Sequence, residues 1–247
     1  MQKYKCTISY DGTNFSGYQI QPNKRTVQGE IEKILTRMHK GKQIRIYGSG
    51  RTDAGVHAKG QVFHFESDLQ IPVVQWKKAL NAQLPDDLYI HQVEAVDDSF
   101  HARFSATAKE YRYFVLLTEE RNVFLRNYRY MTKENFDFAL IEAACRVFEG
   151  THDFTAFSSA RATVKGDKIR TLDHVTFEKN DHELVFILRG NGFLYHMVRI
   201  IVSVLLDAGR GLVTPEEIEE MFQAQNRGTI GKTLPPQGLF LWEVTYT

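Results

Sequence analysis

The 247 residues are 43% hydrophobic and carry 31 Lys and Arg against 30 Asp and Glu, a formal charge of +1. That content supplies a packed core and excludes a disordered chain, and the charge sum alone points to no polyanionic partner. The longest aliphatic run, IIVSVLL between Arg199 and Asp207, falls far short of the ~20 apolar residues of a bilayer crossing.

The opening MQKYKCTISY alternates like a strand and has no signal-peptide apolar block, so the expected location is cytoplasmic. After a polar loop, Val27, Ile31, Ile34, Leu35 and Met38 follow helical spacing with Thr26 as N-cap. QIRIY and QVFHF read as strands on either side of a glycine-rich bend. PVVQWKKALNAQL reads as a helix with Pro72 in its first turn, and LYIHQVEAV as a strand. The order is βαββαβ. From about residue 107 the pattern recurs: EYRYFVLL and VFLRNYRY as strands, a helix over 133–148, HVTFEK and ELVFILR as strands. A long helix from Phe193, a shorter one after Pro215 and the strand LFLWEVTY complete it. The predicted fold class is α+β: two ferredoxin-like halves, residues 1–104 and 105–247, related by pseudo-symmetry, with mainly antiparallel sheets meeting at a central basic cleft.

Cys6 and Cys145 stand outside any CxxC pattern and the nine histidines include no HExxH. Neither a disulfide framework nor a metal site is expected, and no cofactor motif is present. GTIGKT (228–233) ends like a phosphate-binding loop, but Asn226 stands where the first glycine belongs and the run follows a helix; a polar loop is the stronger reading. Charge is segregated. Acids gather in PEEIEE, whereas Arg121, Arg126 and Arg129 interleave with Phe124, Tyr128 and Tyr130. Arg161, Lys165, Lys168 and Arg170 form a second basic run. A basic face and scattered solvated charge are both compatible with this pattern.

Three features carry chemistry. GSGRTDAGVHA (48–58) places Arg51 and Asp53 on the bend, where an aspartate is either a turn residue or a reactive carboxylate. The helix FLYHMVRIIVSVLL is apolar on nearly every face yet holds Arg199 in its middle, and a buried guanidinium demands a carboxylate. Asp53 is the partner chosen, with Asp173 as the structural alternative. Held ionised and oriented by two cations, Asp53 would suit a nucleophile or general base. FHARFSATAKEYRYF (100–114) alternates arginines with rings, a pattern shared by single-stranded RNA surfaces and half-buried strands.

GSGRTDAGVHA, FHARFSATAKEYRYF, GNGFLYHMVR and GLFLWEV, in this order and spacing, closely resemble the TruA-type tRNA pseudouridine synthases over essentially the whole chain. The resemblance implies an isomerase that converts uridine to pseudouridine at positions 38, 39 and 40 of the tRNA anticodon arm, without cofactor. It implies Asp53 as the catalytic aspartate and Arg199 as its ion-pair partner. Tyr111 is implied to stack on the target uracil and to help remove the C5 proton, Arg51 to fill the space of the extruded base, and Leu239 to line the substrate site. Phe100, His101, Ala102, Arg103 and Phe104 fall in the family's RNA-contacting segment, with Arg121, Arg161, Lys165 and Arg170 as phosphate contacts. A homodimer is implied as well. Attack at ribose C1′, passage through a glycal and addition at uracil C6 all remain open as routes. The competing function is a non-catalytic RNA-binding protein or tRNA-folding chaperone.

Overall fold

The computed structural model describes residues 1–159 and 167–247. Its elements run β1 (Gln2–Tyr10), a 3₁₀ turn (Gly12–Asn14), α1 (Val27–Met38), β2 (Tyr47–Gly48), β3 (His57–Ser67), α2 (Val73–Asn81) and β4 (Leu88–Val96). They continue with β5 (Ala106–Leu117), β6 (Tyr130–Thr132), α3 (Phe138–Phe148), β7 (Gly150–Asp153), β8 (Ile169–Asn180), β9 (Glu183–Gly190), α4 (Met197–Gly209), α5 (Pro215–Ala224) and β10 (Leu239–Tyr246). The chain forms two compact units, Met1–Thr107 with Phe240–Thr247, and Ala108–Leu239.

In the first unit, β1 runs antiparallel to both β3 and β4, with Cys6 opposite Phe63 on one side and Val93 on the other. Alternation along β1 buries Tyr4, Cys6, Ile8 and Tyr10, the period-two pattern of a sheet with one face on a core. Ile31 and Leu35 of α1 and Trp76 of α2 are fully buried, and the Trp76 ring lies 5.2 Å from both Tyr4 and Phe65. Thr26 caps α1, its hydroxyl accepting from the Gly29 N–H. β10 pairs in parallel with β3, Phe240 opposite His57 and Leu241 opposite Ala58. The last eight residues therefore fold with the first unit, a placement outside the expected 105–247 half. Local pattern makes a strand but does not choose its neighbour.

In the second unit, β9 lies between β5 and β8, antiparallel to both, with Leu188 opposite Tyr111 and Val175. β7 extends β8, and the short β6 runs parallel to β5. All residues of α4 except Arg199 and Asp207 are buried. Gly209 permits its approach to α3, since a Cβ there would sit 2.7 Å from the Ile141 side chain. α5 begins with Pro215 after a capping box between Thr214 and Glu217.

Four departures from the predicted elements have a visible local cause. QIRIY yields only Tyr47–Gly48 as strand, because α1 takes the preceding backbone: Ile46 N–H donates to Glu32 Oε1 at 3.0 Å and Ile44 N–H to Thr36 Oγ1 at 3.4 Å. VFLRNYRY is largely turn, wound by Asn122, whose Oδ1 accepts from the Phe124 and Leu125 amides at 3.0 and 3.1 Å. α3 starts at Phe138 rather than 133, where Asp137 supplies the cap. α4 starts at Met197 rather than Phe193, after His196 adopts a left-handed φ of 65°.

Candidate active site

The loop between β2 and β3 carries Arg51 and Asp53. Several of its residues are held by buried partners. Ser49 N–H donates to the Val62 carbonyl at 2.7 Å, and Ser49 Oγ donates to Gln61 Oε1 at 2.6 Å. Gln61, fully buried, also donates from Nε2 to the Gly50 carbonyl at 3.1 Å. Thr52 Oγ1 shares a 2.8 Å hydrogen bond with the buried Tyr10 hydroxyl, and its carbonyl accepts from the Tyr18 N–H at 3.0 Å. Val56 N–H closes the bend on the Asp53 carbonyl at 3.1 Å, and Gly55 N–H reaches Phe15 O at 3.3 Å. The resulting cradle leaves Asp53 half-buried and Arg51 exposed. Thr52, between them, points inward.

The segment after β1 forms the wall behind this loop, and two glycines make the fit possible. A Cβ on Gly12 would stand 2.0 Å from the Val56 carbonyl oxygen. At Gly17, with φ +97°, it would approach Thr52 O to 3.0 Å. Only glycine permits both the close approach and that left-handed backbone. Gly12 N–H donates to His57 Nδ1 at 3.0 Å, and the His57 ring stacks on Phe240 at 4.6 Å. Gly48 admits the Tyr18 ring, whose hydroxyl is buried without a hydrogen-bond partner. Burial raises the pKa of Tyr10 to about 12 and that of Tyr18 well above the usual phenol range. Both hydroxyls stay protonated at neutral pH.

In the second unit, Tyr111 of β5 is buried, with its ring edge-on to Phe193 at 4.9 Å. Arg199 lies in the first turn of α4 and is half-buried. This corrects the expectation of a guanidinium sunk mid-helix, since the helix begins four residues later than the apolar pattern suggests. Its Nε donates to the Leu234 carbonyl at 2.6 Å. Asp173, the structural alternative as its partner, is exposed and paired with Arg189 at 3.4 Å. Leu239 is buried at the start of β10.

The segment 100–104 is not a strand but a turn whose side chains diverge. Ala102 is buried, its N–H donating to His64 Nδ1 at 3.1 Å and its carbonyl accepting from the Tyr246 hydroxyl at 2.7 Å. Phe100 packs 5.2 Å from the Tyr246 ring. Arg103 and Phe104 project outward, Phe104 76% exposed, with the His101 ring 4.4 Å from that of Phe104. Arg121 lines an open cavity of about 330 Å³ together with Arg126, Arg129, Tyr130, Met131, Pro235 and Gln237. Sequence reading saw the interleaving of these arginines with rings but not the hollow they share. Arg170 is half-buried in β8, 3.6 Å from Asp167. Arg161 and Lys165 lie outside the described residues. The supporting set of Tyr10, Gly12, Gly17 and Gln61 was missed, although the glycines of TISYDGTNFSGYQ were a signal for close backbone approach.

Among the described residues, no group of three or more His, Cys, Asp or Glu side chains is placed to hold a metal ion. GTIGKT follows α5, and no α-helix begins after it, so the strand, loop and helix of a nucleotide-phosphate site are missing there.

A family model described as tRNA pseudouridine synthase matches residues 7–105 and 144–247. The chain is 55% identical over 246 residues to tRNA pseudouridine synthase A of Oceanobacillus iheyensis, covering 100% of this chain and 97% of that protein. It is 56% identical over 245 residues to the protein of the same name from Geobacillus sp. strain WCH70, covering 99% and 98% of the two chains. A third relative, tRNA pseudouridine synthase A 1 of Bacillus cereus strain ATCC 14579, is 52% identical over 246 residues, covering 100% of this chain and 99% of that protein.

Proposed function

The chain belongs to the tRNA pseudouridine synthase family, and from that premise we propose that it isomerises uridine to pseudouridine at positions 38, 39 and 40 of the tRNA anticodon arm, with Asp53 as nucleophile. The reaction breaks the bond from ribose C1′ to uracil N1 and joins C1′ to C5. The C5 proton is lost and N1 gains one, so no electrons are transferred and no group donor is consumed. Every route through this rearrangement needs one ionised, oriented carboxylate. The observation that carries the assignment is the loop itself: Asp53 sits half-buried on a bend in which Thr52 and Gly50 are held by the buried side chains of Tyr10 and Gln61.

Arg199 is the proposed ion-pair partner of Asp53. The Leu234 carbonyl, bonded to its Nε, fixes the orientation of the guanidinium plane, as a charge-positioning group requires. Tyr111 offers its ring to the target uracil and its hydroxyl to the C5 proton. Arg51, exposed beside Asp53, suits the space left by a base drawn out of its stack, and the apolar Leu239 lines the base site. Phe100, His101, Ala102, Arg103 and Phe104 form the RNA-contacting turn, supported by the outward projection of Arg103 and Phe104. Arg121, Arg161, Lys165 and Arg170 hold phosphates, which position the arm without reading its sequence. The working form is a cytoplasmic homodimer with one tRNA touching both subunits.

Asp53→Asn tests the reading. The variant should bind unmodified tRNA within about twofold of the parent, because phosphate contacts dominate affinity, and form no pseudouridine by carbodiimide-dependent primer extension. Arg199→Met should lose turnover far more than affinity. Normal conversion by Asp53→Asn would remove that carboxylate from the mechanism. Absence of conversion by the parent would favour a non-catalytic RNA-binding role.

A further inference from the structure

Beneath the bend, two buried side chains from neighbouring strands grip the residues around Arg51 and Asp53. Tyr10 ends β1 and shares its hydroxyl with Thr52 Oγ1 at 2.8 Å. Gln61 of β3 accepts from Ser49 Oγ at 2.6 Å and donates to the Gly50 carbonyl at 3.1 Å. Gln61 is fully buried and Tyr10 nearly so. Ser49, Gly50 and Thr52 are therefore each tied to a buried side chain, a set of bonds that brackets Arg51 and ends one residue before Asp53.

Such bonds are not needed to close the turn. The Asp53 carbonyl already accepts from the Val56 N–H at 3.1 Å, and Thr52 O from the Tyr18 N–H at 3.0 Å. What the side-chain bonds add is a fixed direction for the backbone entering Asp53. Misplacing a reacting group by about 1 Å costs about 100-fold in rate. Low local dielectric strengthens each such bond.

We propose that Tyr10 and Gln61 are positioning residues, whose hydrogen bonds to Thr52, Ser49 and Gly50 aim the Asp53 carboxylate at its target. The assignment rests on the reading of Asp53 as nucleophile. Both residues are buried, so their loss should lower the chemical step and leave tRNA affinity alone.

The test compares single-turnover pseudouridine formation and tRNA affinity for Tyr10→Phe, Thr52→Val, Thr52→Ser and Tyr18→Phe. Tyr10→Phe and Thr52→Val each break the same bond and should each slow the chemical step about tenfold with affinity within about twofold. Combining them should add little, since both remove one interaction. Thr52→Ser keeps the hydroxyl and should restore the parental rate. Tyr18→Phe removes a neighbouring buried phenol that makes no hydrogen bond, and should leave the rate unchanged. This control separates loss of the bond from loss of a buried hydroxyl in general. Melting curves for all variants identify any that fold poorly, and rates are taken well below each transition.

Parental rates in both Tyr10→Phe and Thr52→Val would overturn the proposal, as would a rate loss matched by an equal loss of affinity. Failure of the underlying functional reading is seen separately: in that case the parent itself forms no pseudouridine, or Asp53→Asn retains full activity.

Discussion

Replacing Gly12 by alanine should disturb the candidate active site from behind, and the size of the effect can be worked from the fit. The new Cβ would stand 2.0 Å from Val56 O and 2.5 Å from Val56 C, where ordinary contact begins near 3.4 Å. Both obstacles are backbone, so no side chain can swing aside. Relief requires the Gly12 turn or the Val56 strand entry to move by about 1.4 Å. Val56 N–H is bonded to the Asp53 carbonyl, so the displacement passes directly to Asp53. Overpacking of this kind costs about 2 kcal/mol, which in a chain of this length lowers Tm by about 4–8 °C. A carboxylate displaced by about 1 Å loses about 100-fold in the chemical step. The assay is single-turnover release of tritium from tRNA labelled at uridine C5, with tRNA affinity measured in parallel and Tm by circular dichroism. Affinity should stay within about threefold, because the proposed phosphate contacts lie elsewhere. A Gly12→Ala variant with parental Tm and parental turnover would show that the loop tolerates the methyl group and that its backing does not set the position of Asp53.

Three further outcomes follow from other parts of the chain. His64 is buried, with Nδ1 accepting from Ala102 N–H, and burial followed by the charges of His101 and Lys3 depresses its pKa to about 4. Between pH 4 and 6.5 the unfolded chain binds a proton there that the native chain does not, so stability falls as pH drops through that window; His64→Asn should flatten the slope by at most about 2–3 kcal/mol in urea titrations at pH 4.5 and 7. Burial raises Cys145 to about 12 and pushes Cys6 up further, so the native protein at pH 8 should resist a thiol reagent that labels both in denaturant, and rapid native labelling would contradict their burial. Thr214→Ala removes the capping box of α5 and should cost about 1 kcal/mol, read as a Tm loss of about 2–4 °C with unchanged turnover.

The helices α1, α2 and α5 were legible because each has an apolar stripe and a clear start, with Thr26, Pro72 and Thr214 at their caps, whereas α3 was legible as a helix but not in its start at Asp137. The long strands were equally legible from alternation. Two of the failures share a cause, which is side-chain capture of backbone groups from a distance or from a neighbour. Glu32 and Thr36 of α1 draw the amides of Ile46 and Ile44 out of the strand pattern. Asn122 winds a segment whose aromatic alternation reads as extended. The apolar run before α4 looked helical until His196 turned it.

The residues of the candidate site divide along the same line. Asp53, Arg51 and Arg199 stand out in the chain as charged side chains among small or apolar neighbours, whereas Tyr111 enters only through the family resemblance. Tertiary structure decided what holds them: that Gly12 gives way to the Val56 backbone, that Gln61 and Tyr10 reach under the bend, and that the last eight residues join the first unit through β3. Those facts depend on which surfaces meet, and a residue's own chemistry and its local periodicity carry no record of a partner fifty or two hundred positions away.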